Sequence, residues 1–182
     1  MVNTYKLKLT NLQQEILRLL FVKVGVSLNQ RQIANLLKVS APAVMKALPE
    51  LGAEDLIKTK QDKETKRWAI QLDMDNHRIM NLKRADNLRQ IYESGLADFL
   101  EEKFPGTTII LFGSYSMGDD TATSDIDVAV VGSKEKDVDL EKFEKVLERE
   151  IRINFYQSFT KIHKHLRENI FNGILLAGGV EL

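Results

Sequence analysis

Cysteine is absent from the 182 residues of this chain. Its absence excludes disulfide bonds, thiolate metal sites and cysteine nucleophiles. Long apolar runs are also missing, since none approaches the roughly 20 residues that a transmembrane helix needs. The first ten residues, MVNTYKLKLT, lack the apolar core of a signal peptide. With 43% apolar and 29% charged residues, the composition is typical of a globular protein without membrane segments, and we expect it in the cytoplasm.

The net charge of the whole chain is zero, but its two parts differ in sign. Residues 1–72 contain 12 Lys and Arg against 6 Asp and Glu, whereas residues 73–182 contain 14 against 20. A basic part beside an acidic part predicts two modules with different partners. The basic part suits phosphate backbones. The acidic part could bind the phosphates of a nucleotide only through bound cations.

Three amphipathic helices are predicted at the start of the chain. Apolar residues recur at three- and four-residue steps over residues 11–24 and again over 28–37. Ser40 is a favourable N-cap for a third helix. Two strand-like runs follow at residues 56–60 and 67–72, and a polar tip links them. The pattern therefore predicts three helices and a hairpin.

This order of elements, carried by the segments SLNQRQIANLLKVSAPAVMKAL and DLIKTKQDKETKRWAIQL, resembles a winged helix-turn-helix domain. In such domains the third helix enters the major groove and the wing contacts the neighbouring backbone, so the resemblance implies binding to double-stranded DNA. The residues that it implies are Ser40, Ala43, Lys46, Lys58, Lys60, Lys63, Lys66 and Arg67. Because the wing carries most of the positive charge, contacts to the DNA backbone are favoured over base readout. A solvated hairpin or a protein-binding module is the alternative.

A connecting segment without proline spans residues 76–103 and repeats apolar residues at helical spacing. This pattern predicts one long helix, with a bend near Gly95. Since long helices between modules often pack two copies together, a homodimer is compatible with the sequence. The predicted domains are a winged helix-turn-helix domain over 1–74, a linker helix over 75–103 and a second domain over 104–182.

The second domain alternates strand-like and helical runs. Apolar runs at residues 107–112 and 125–131 predict buried strands. A third strand is predicted at residues 151–157, between helical patterns at 140–149 and 159–169. The fold class predicted for the chain is therefore α+β, with a small mixed sheet in the second domain.

Two short motifs of this domain carry chemistry. Gly113 and Ser114 follow the first strand, where glycine lets a phosphate approach the backbone and the N–H groups and the Ser114 hydroxyl can hold its oxygens. Asp125 and Asp127 lie two residues apart on a strand, so both carboxylates point to the same face. There they could hold one or two Mg²⁺ ions against a triphosphate. Each motif alone is common in turns and strand ends, but ten residues separate the two motifs here, and this joint spacing is distinctive.

The joint pattern, TIILFGS followed by SDIDVAVVG, resembles the signature of the minimal nucleotidyltransferases in the DNA polymerase β superfamily. The resemblance implies that Gly113 and Ser114 clamp a nucleoside triphosphate, with ATP favoured, and that Asp125 and Asp127 bind Mg²⁺. It implies transfer of a nucleoside monophosphate to a hydroxyl group with release of pyrophosphate. In small members that have toxin-like partners, the acceptor can be a protein tyrosine.

Two positions depart from the family pattern. Met117 stands where many members have a basic residue, and Asn154 stands where active members have a third carboxylate. An amide can bind a metal but cannot accept a proton. Glu150 is a candidate substitute, whereas Asp119 and Asp120 are expected at a loop tip. Two hypotheses stay open: an active nucleotidyltransferase on a DNA-binding protein, and a transcriptional regulator whose second domain only senses nucleotides or dimerises.

Overall fold

The computed structural model describes residues 9–63 and 68–180. The chain divides into two compact units, Met1–Ile79 and Met80–Leu182. The elements of the first unit are α1 Asn11–Val22, α2 Gln30–Leu37, α3 Ala41–Ala53, β1 Ile57–Gln61 and β2 Trp68–Leu72. Helix α4, His77–Glu93, begins at the end of this unit. The second unit continues with α5 Leu96–Lys103, β3 Thr108–Phe112, α6 Gly113–Met117, β4 Ile126–Val131, α7 Glu141–Leu147, β5 Ile151–Tyr156, a 3₁₀ turn Phe159–Lys161, α8 Lys164–Phe171 and β6 Ile174–Ala177.

Side-chain caps begin each of the three helices of the first unit. Thr10 and Asn29 each form a capping box with the glutamine three residues later. Ser40 accepts a hydrogen bond from the Ala43 N–H at 3.3 Å. These caps satisfy amides that a helix leaves free in its first turn. The predicted helices are confirmed, and the third continues past Pro49 to Ala53.

The hairpin of the first unit pairs β1 and β2 antiparallel, from Ile57 opposite Leu72 to Gln61 opposite Trp68. Leu28 adds a bridge to Ile70 through two backbone hydrogen bonds of 2.9 and 2.8 Å. The helices close over this small sheet with fully buried side chains, among them Ile16, Ile33, Val44 and Leu51. Helix, bridge, two helices and a hairpin are the order of a winged helix-turn-helix domain, as predicted.

The segment predicted as one linker helix forms two helices. Helix α4 ends at Glu93 and α5 begins at Leu96, because Gly95 takes a φ of 75° at the cap of α5. Glycine adopts this left-handed conformation without the strain that a Cβ brings. The second compact unit starts at Met80, so most of the predicted linker belongs to that unit.

The second unit is built on a four-stranded mixed sheet with the order β5-β4-β3-β6. Strand β4 pairs antiparallel with β3 and parallel with β5. Alternation puts Ile109 and Leu111 on one face with α5 and α7, and Ile110 and Phe112 on the other face with the 3₁₀ turn and α8. The predicted α+β fold is therefore confirmed. No helix in residues 9–63 and 68–180 has the length and apolarity to cross a bilayer.

Candidate functional site

Gly113 and Asp127 come together at the end of strand β3. Phe112 pairs with Asp127 across the β3–β4 ladder, and Gly113 begins α6 with a φ of 72°. A Cβ atom added at Gly113 would lie 2.7 Å from Oδ2 of Asp127. The turn predicted to clamp phosphate is thus in direct reach of one carboxylate of the D-x-D pair. Only a residue without a side chain leaves room for this approach.

Asp127 lies in β4 and Asp125 directly precedes that strand, and both aspartates lie beside Arg152 of β5. The side chain of Asp125 is 26% exposed, and Asp127 is half-buried. Burial and, second, the negative charge of Asp125 raise the pKa of Asp127, whereas the charge of Arg152 lowers it. The two carboxylates therefore repel each other in a partly desolvated site, and a cation bound between them would relieve that repulsion.

Ser114 follows Gly113 in the five-residue helix α6, which closes with a 2.9 Å hydrogen bond from the Gly118 N–H to the Ser114 carbonyl. The Ser116 hydroxyl donates to the Gly113 carbonyl at 2.8 Å. This short helix continues directly from β3, so the Gly113–Ser114 backbone turns away from the sheet beside Asp127. Ser114 is half-buried and directly follows Gly113 in the chain.

Strand β5 brings an arginine to the aspartates. In the parallel β4–β5 ladder Asp127 pairs with Arg152, and Ala129 pairs with Asn154. Paired residues in a ladder point to the same face. Nη1 of Arg152 lies 2.9 Å from Oδ2 of Asp125. The residue directly beside Asp127 is therefore Arg152, and Asn154, which the sequence pattern put in the place of the third carboxylate, lies one pair further from Asp125.

Two neighbours complete this side of the site. Glu150 precedes β5, is exposed, and its Oε1 lies 3.3 Å from Nε of Arg152. The Glu150 carboxylate thus forms an ion pair with Arg152. Burial and, second, the charge of Asp127 raise the pKa of Tyr156 on the same strand. The Tyr156 phenol therefore loses its proton only at a higher pH than an exposed tyrosine does.

The donor set fits a cation that arrives with its own oxygen ligands. Among residues 9–63 and 68–180, no three His, Cys, Asp or Glu side chains are grouped to hold a metal ion. Mg²⁺ commonly binds proteins through one or two carboxylates together with substrate phosphates and water. Asp125 and Asp127 meet that requirement, and the approach of Asp127 to Gly113 puts the carboxylates beside the turn that would receive phosphate.

Asp120 is buried, which corrects its predicted position at a loop tip. Its side chain is 1% exposed and forms an ion pair with Nζ of Lys83, which is fully buried. Nδ2 of Asn87 donates to Oδ1 of Asp120 at 2.7 Å, and Arg149 lies 3.6 Å from Oδ2. Burial lowers the pKa of Lys83, and the charge of Asp120 opposes that shift. Lys83 and Asn87 lie on α4, 37 and 33 residues before Asp120 in the chain. A local sequence pattern therefore could not predict this cluster. Asp119 is exposed, in keeping with the loop tip.

The residues predicted to bind DNA differ in how available they are. Lys46, Lys60 and Lys63 are exposed. Ser40 is used as the cap of α3, and Ala43 is half-buried in the first turn of that helix. Lys66 and Arg67 lie outside the described residues.

Lys58 is the exception in the wing. Its Nζ lies 2.7 Å from Oδ1 of Asp73 and also pairs with Asp75. These hydrogen bonds, first to Asp73 and then to Asp75, raise the pKa of Lys58. Its positive charge is therefore already compensated within the first unit.

A cavity of about 840 Å³ lies at the other end of the second sheet. Its walls include the start of β3 at Thr107 and Thr108 and the end of β4 at Val131 and Gly132. None of the residues predicted to bind nucleotide or metal lines it. Cavity size therefore does not mark the aspartate site.

Residues 93–176 match the family model described as a nucleotidyltransferase domain. This match covers most of the second unit. The matched residues include the turn at Gly113, both aspartates of the D-x-D pair and strand β5. No curated protein matches the chain.

Three solved structures illustrate the likenesses of the chain. The S. aureus MepR–DNA complex is 25% identical and covers 52% of this chain and 81% of its own, with a TM-score of 0.38. Streptococcus pyogenes adhesin competence repressor, AdcR, is 24% identical over 56% and 71%, with a TM-score of 0.43. Lactococcus lactis ZitR, a zinc-responsive MarR family member, is 25% identical over 57% and 68%, with a TM-score of 0.41. Because all three TM-scores are below 0.5, none of these structures establishes a function for this chain.

Proposed function

We propose that the first unit binds double-stranded DNA and that the nucleotidyltransferase domain binds a magnesium–nucleoside triphosphate complex, transferring its nucleoside monophosphate to a hydroxyl acceptor. The observation that carries this proposal is the 2.7 Å separation between Oδ2 of Asp127 and a Cβ built at Gly113. Metal ligand and phosphate-binding turn are therefore adjacent. The resemblance to minimal nucleotidyltransferases supports ATP as the nucleotide and a protein hydroxyl as an acceptor. A homodimer is also compatible with this proposal.

The residues take distinct roles in this proposal. Gly113 lets a phosphate approach the backbone, and the Ser114 hydroxyl donates to a phosphate oxygen. Asp125 and Asp127 would hold Mg²⁺, which when bound neutralises charge on the phosphate oxygens. Because burial and Asp125 raise the pKa of Asp127, the carboxylate pair gains from an added cation. The transfer balances as formation of an acceptor O–P bond, cleavage of the bond between the α- and β-phosphates, and release of pyrophosphate and a proton.

A second candidate is a regulator that binds nucleotide without transferring it. The position beside Asp127 holds Arg152, and Asn154 follows it on the same face. Neither side chain accepts a proton at neutral pH. A site that binds Mg-NTP but has no base to activate the acceptor would act as a sensor, so the two candidates differ in one measurable step.

Replacing Asp127 with alanine tests this step. In the presence of Mg²⁺ and α-³²P-ATP, the wild-type protein should label an acceptor in a cell extract, and Asp127→Ala should reduce labelling by more than about 100-fold because a charge-stabilising group is lost. Asp137→Ala, at an exposed loop aspartate, should label like the wild type. Magnesium-dependent ATP binding without any labelling would favour the sensor. Absence of both would contradict both candidates.

DNA binding should depend steeply on salt, because each lysine that contacts a phosphate releases a counterion. For a duplex DNA fragment, Lys60→Gln and Lys63→Gln should each reduce the slope of log affinity against log salt by about 1. Lys58→Gln is the matched control and should change the slope less, since Asp73 and Asp75 already pair with Lys58. Fluorescence anisotropy between about 50 and 200 mM salt measures these slopes. Binding that ignores salt would point to a protein partner instead.

A further inference from the structure

Arg152, and not the Asn154 that the family resemblance put in the place of a third carboxylate, is the β5 residue directly beside Asp127. It is the ladder partner of Asp127, and its Nη1 lies 2.9 Å from Oδ2 of Asp125. A positive side chain of strand β5 thus lies against the two aspartates proposed as metal ligands. The strand next to the aspartates thus contributes a positive charge to the site, whereas the resemblance implies a negative one in active members.

The guanidinium of Arg152 is accessible. Its side chain is 57% exposed, and its second partner, Glu150, is 62% exposed. The exposed pair with Glu150 is weak. The pair with Asp125, which is 26% exposed, can be exchanged for a phosphate that offers the guanidinium more than one anionic oxygen. The planar guanidinium fork matches phosphate oxygens in a bidentate arrangement.

We propose that Arg152 binds the phosphates of the nucleotide and takes the place of a second metal ion, so that the site holds one divalent cation per nucleotide. This inference rests on the proposed function. Without nucleotide, Arg152 compensates the charge of Asp125. With nucleotide, it pairs with phosphate oxygens, and the Asp125 carboxylate becomes available to the cation that the phosphates bring.

Charge favours one cation over two. Asp125, Asp127 and Arg152 together carry a formal charge of about −1 at neutral pH, or about −2 with the exposed Glu150. A third carboxylate in place of Arg152 would make these sums about −3 and −4. Two divalent cations close together need several anionic ligands from the protein, and a neighbouring guanidinium repels them. A single cation with a triphosphate needs only the two carboxylates.

Metal stoichiometry tests the inference without relying on activity. Mn²⁺ binding is measured by electron paramagnetic resonance on the full-length protein with the analogue α,β-methylene-ATP. The wild type should bind one Mn²⁺ per bound analogue, and Arg152→Asp, which places a third carboxylate beside Asp127, should bind two. Arg152→Gln should weaken analogue binding by about tenfold, because a charge-assisted hydrogen bond to phosphate is lost. The same variant should bind Mn²⁺ alone more tightly, because Asp125 is released.

Arg89→Gln is the matched control. Arg89 is 50% exposed and pairs with two acidic residues of its own helix, Asp86 and Glu93. It should leave Mn²⁺ stoichiometry and analogue affinity unchanged, and Arg152→Lys should retain part of the affinity. Circular dichroism of each variant verifies folding.

The outcomes separate this inference from the function on which it rests. Two Mn²⁺ ions per analogue in the wild type, or unchanged analogue affinity in Arg152→Gln, would overturn the role of Arg152 while the proposed function stands. A wild-type protein that binds no analogue with any divalent cation would remove the proposed function itself, and this inference with it.

Discussion

Asp120→Ala should lower the free energy of unfolding of the second unit by about 3–5 kcal/mol, the cost of breaking a buried ion pair from one side. Lys83 is fully buried and Arg149 is 7% exposed. Removing the carboxylate leaves the Lys83 ammonium without its anionic partner and also removes the carboxylate that lies 3.6 Å from Arg149. Asn87 also loses the acceptor of its 2.7 Å hydrogen bond. The effect is large because solvent cannot replace these contacts in the folded state.

Asp119→Ala is the matched control for this measurement. Asp119 precedes Asp120 in the chain but is exposed, so its replacement should change stability by less than about 0.5 kcal/mol. Urea unfolding followed by circular dichroism at pH 7 measures both variants. A loss of less than about 1 kcal/mol for Asp120→Ala, no more than a typical neutral hydrogen bond contributes, would contradict the importance of the cluster.

Gly113→Ala should weaken magnesium-dependent nucleotide binding by about 100-fold, comparable to the loss of one preorganised charge-stabilising group. The new Cβ would lie 2.7 Å from Oδ2 of Asp127, closer than non-bonded atoms allow. The carboxylate must rotate away from the turn, and the metal ligand then no longer faces the phosphate-binding backbone. The substitution thus acts on the one contact that the proposed function depends on most.

Gly106→Ala separates this contact from backbone strain. Gly106 has a φ of 73°, almost the same as the 72° of Gly113, but a Cβ there meets nothing within 4 Å. Both variants carry the strain of a left-handed alanine, about 1–2 kcal/mol, so both should melt at a lower temperature. Only Gly113→Ala should lose affinity for a fluorescent ATP analogue measured with Mg²⁺. Equal affinities in the two variants would show that Asp127 is not positioned against the nucleotide.

Local patterns were sufficient for the elements of the fold. Helical spacing and caps such as Ser40 predicted α1 to α3, because capping and amphipathicity act within a few residues. Alternation along the strand predicted at residues 125–131 put Asp125 and Asp127 on one face, since successive side chains of a strand point to opposite sides. The break at Gly95 was predicted only as a bend. A glycine is compatible with a bent helix and with a break between two helices, and packing decides which of the two forms.

The residues around the aspartates were beyond the reach of local patterns. Asn154 was predicted in the place of the third carboxylate, but the β4–β5 register puts Arg152 beside Asp127. A shift of two residues along a strand keeps the same alternation of faces, so sequence periodicity cannot distinguish the two positions. Register between two strands is set by how their buried faces pack on neighbouring helices.

By itself, the sequence determined two modules of opposite charge, the order of their helices and strands, and the motifs at Gly113 and Asp125–Asp127, because propensity, periodicity and motif spacing are properties of short segments. Tertiary structure alone decided that Arg152 faces Asp125, that Lys58 is neutralised within its own unit, and that Asp120 is buried on Lys83. Each of these is a pairing of charges that lie apart in the chain. Charge pairs form where packing brings two side chains within a few ångströms, and that distance is set only when the whole unit folds.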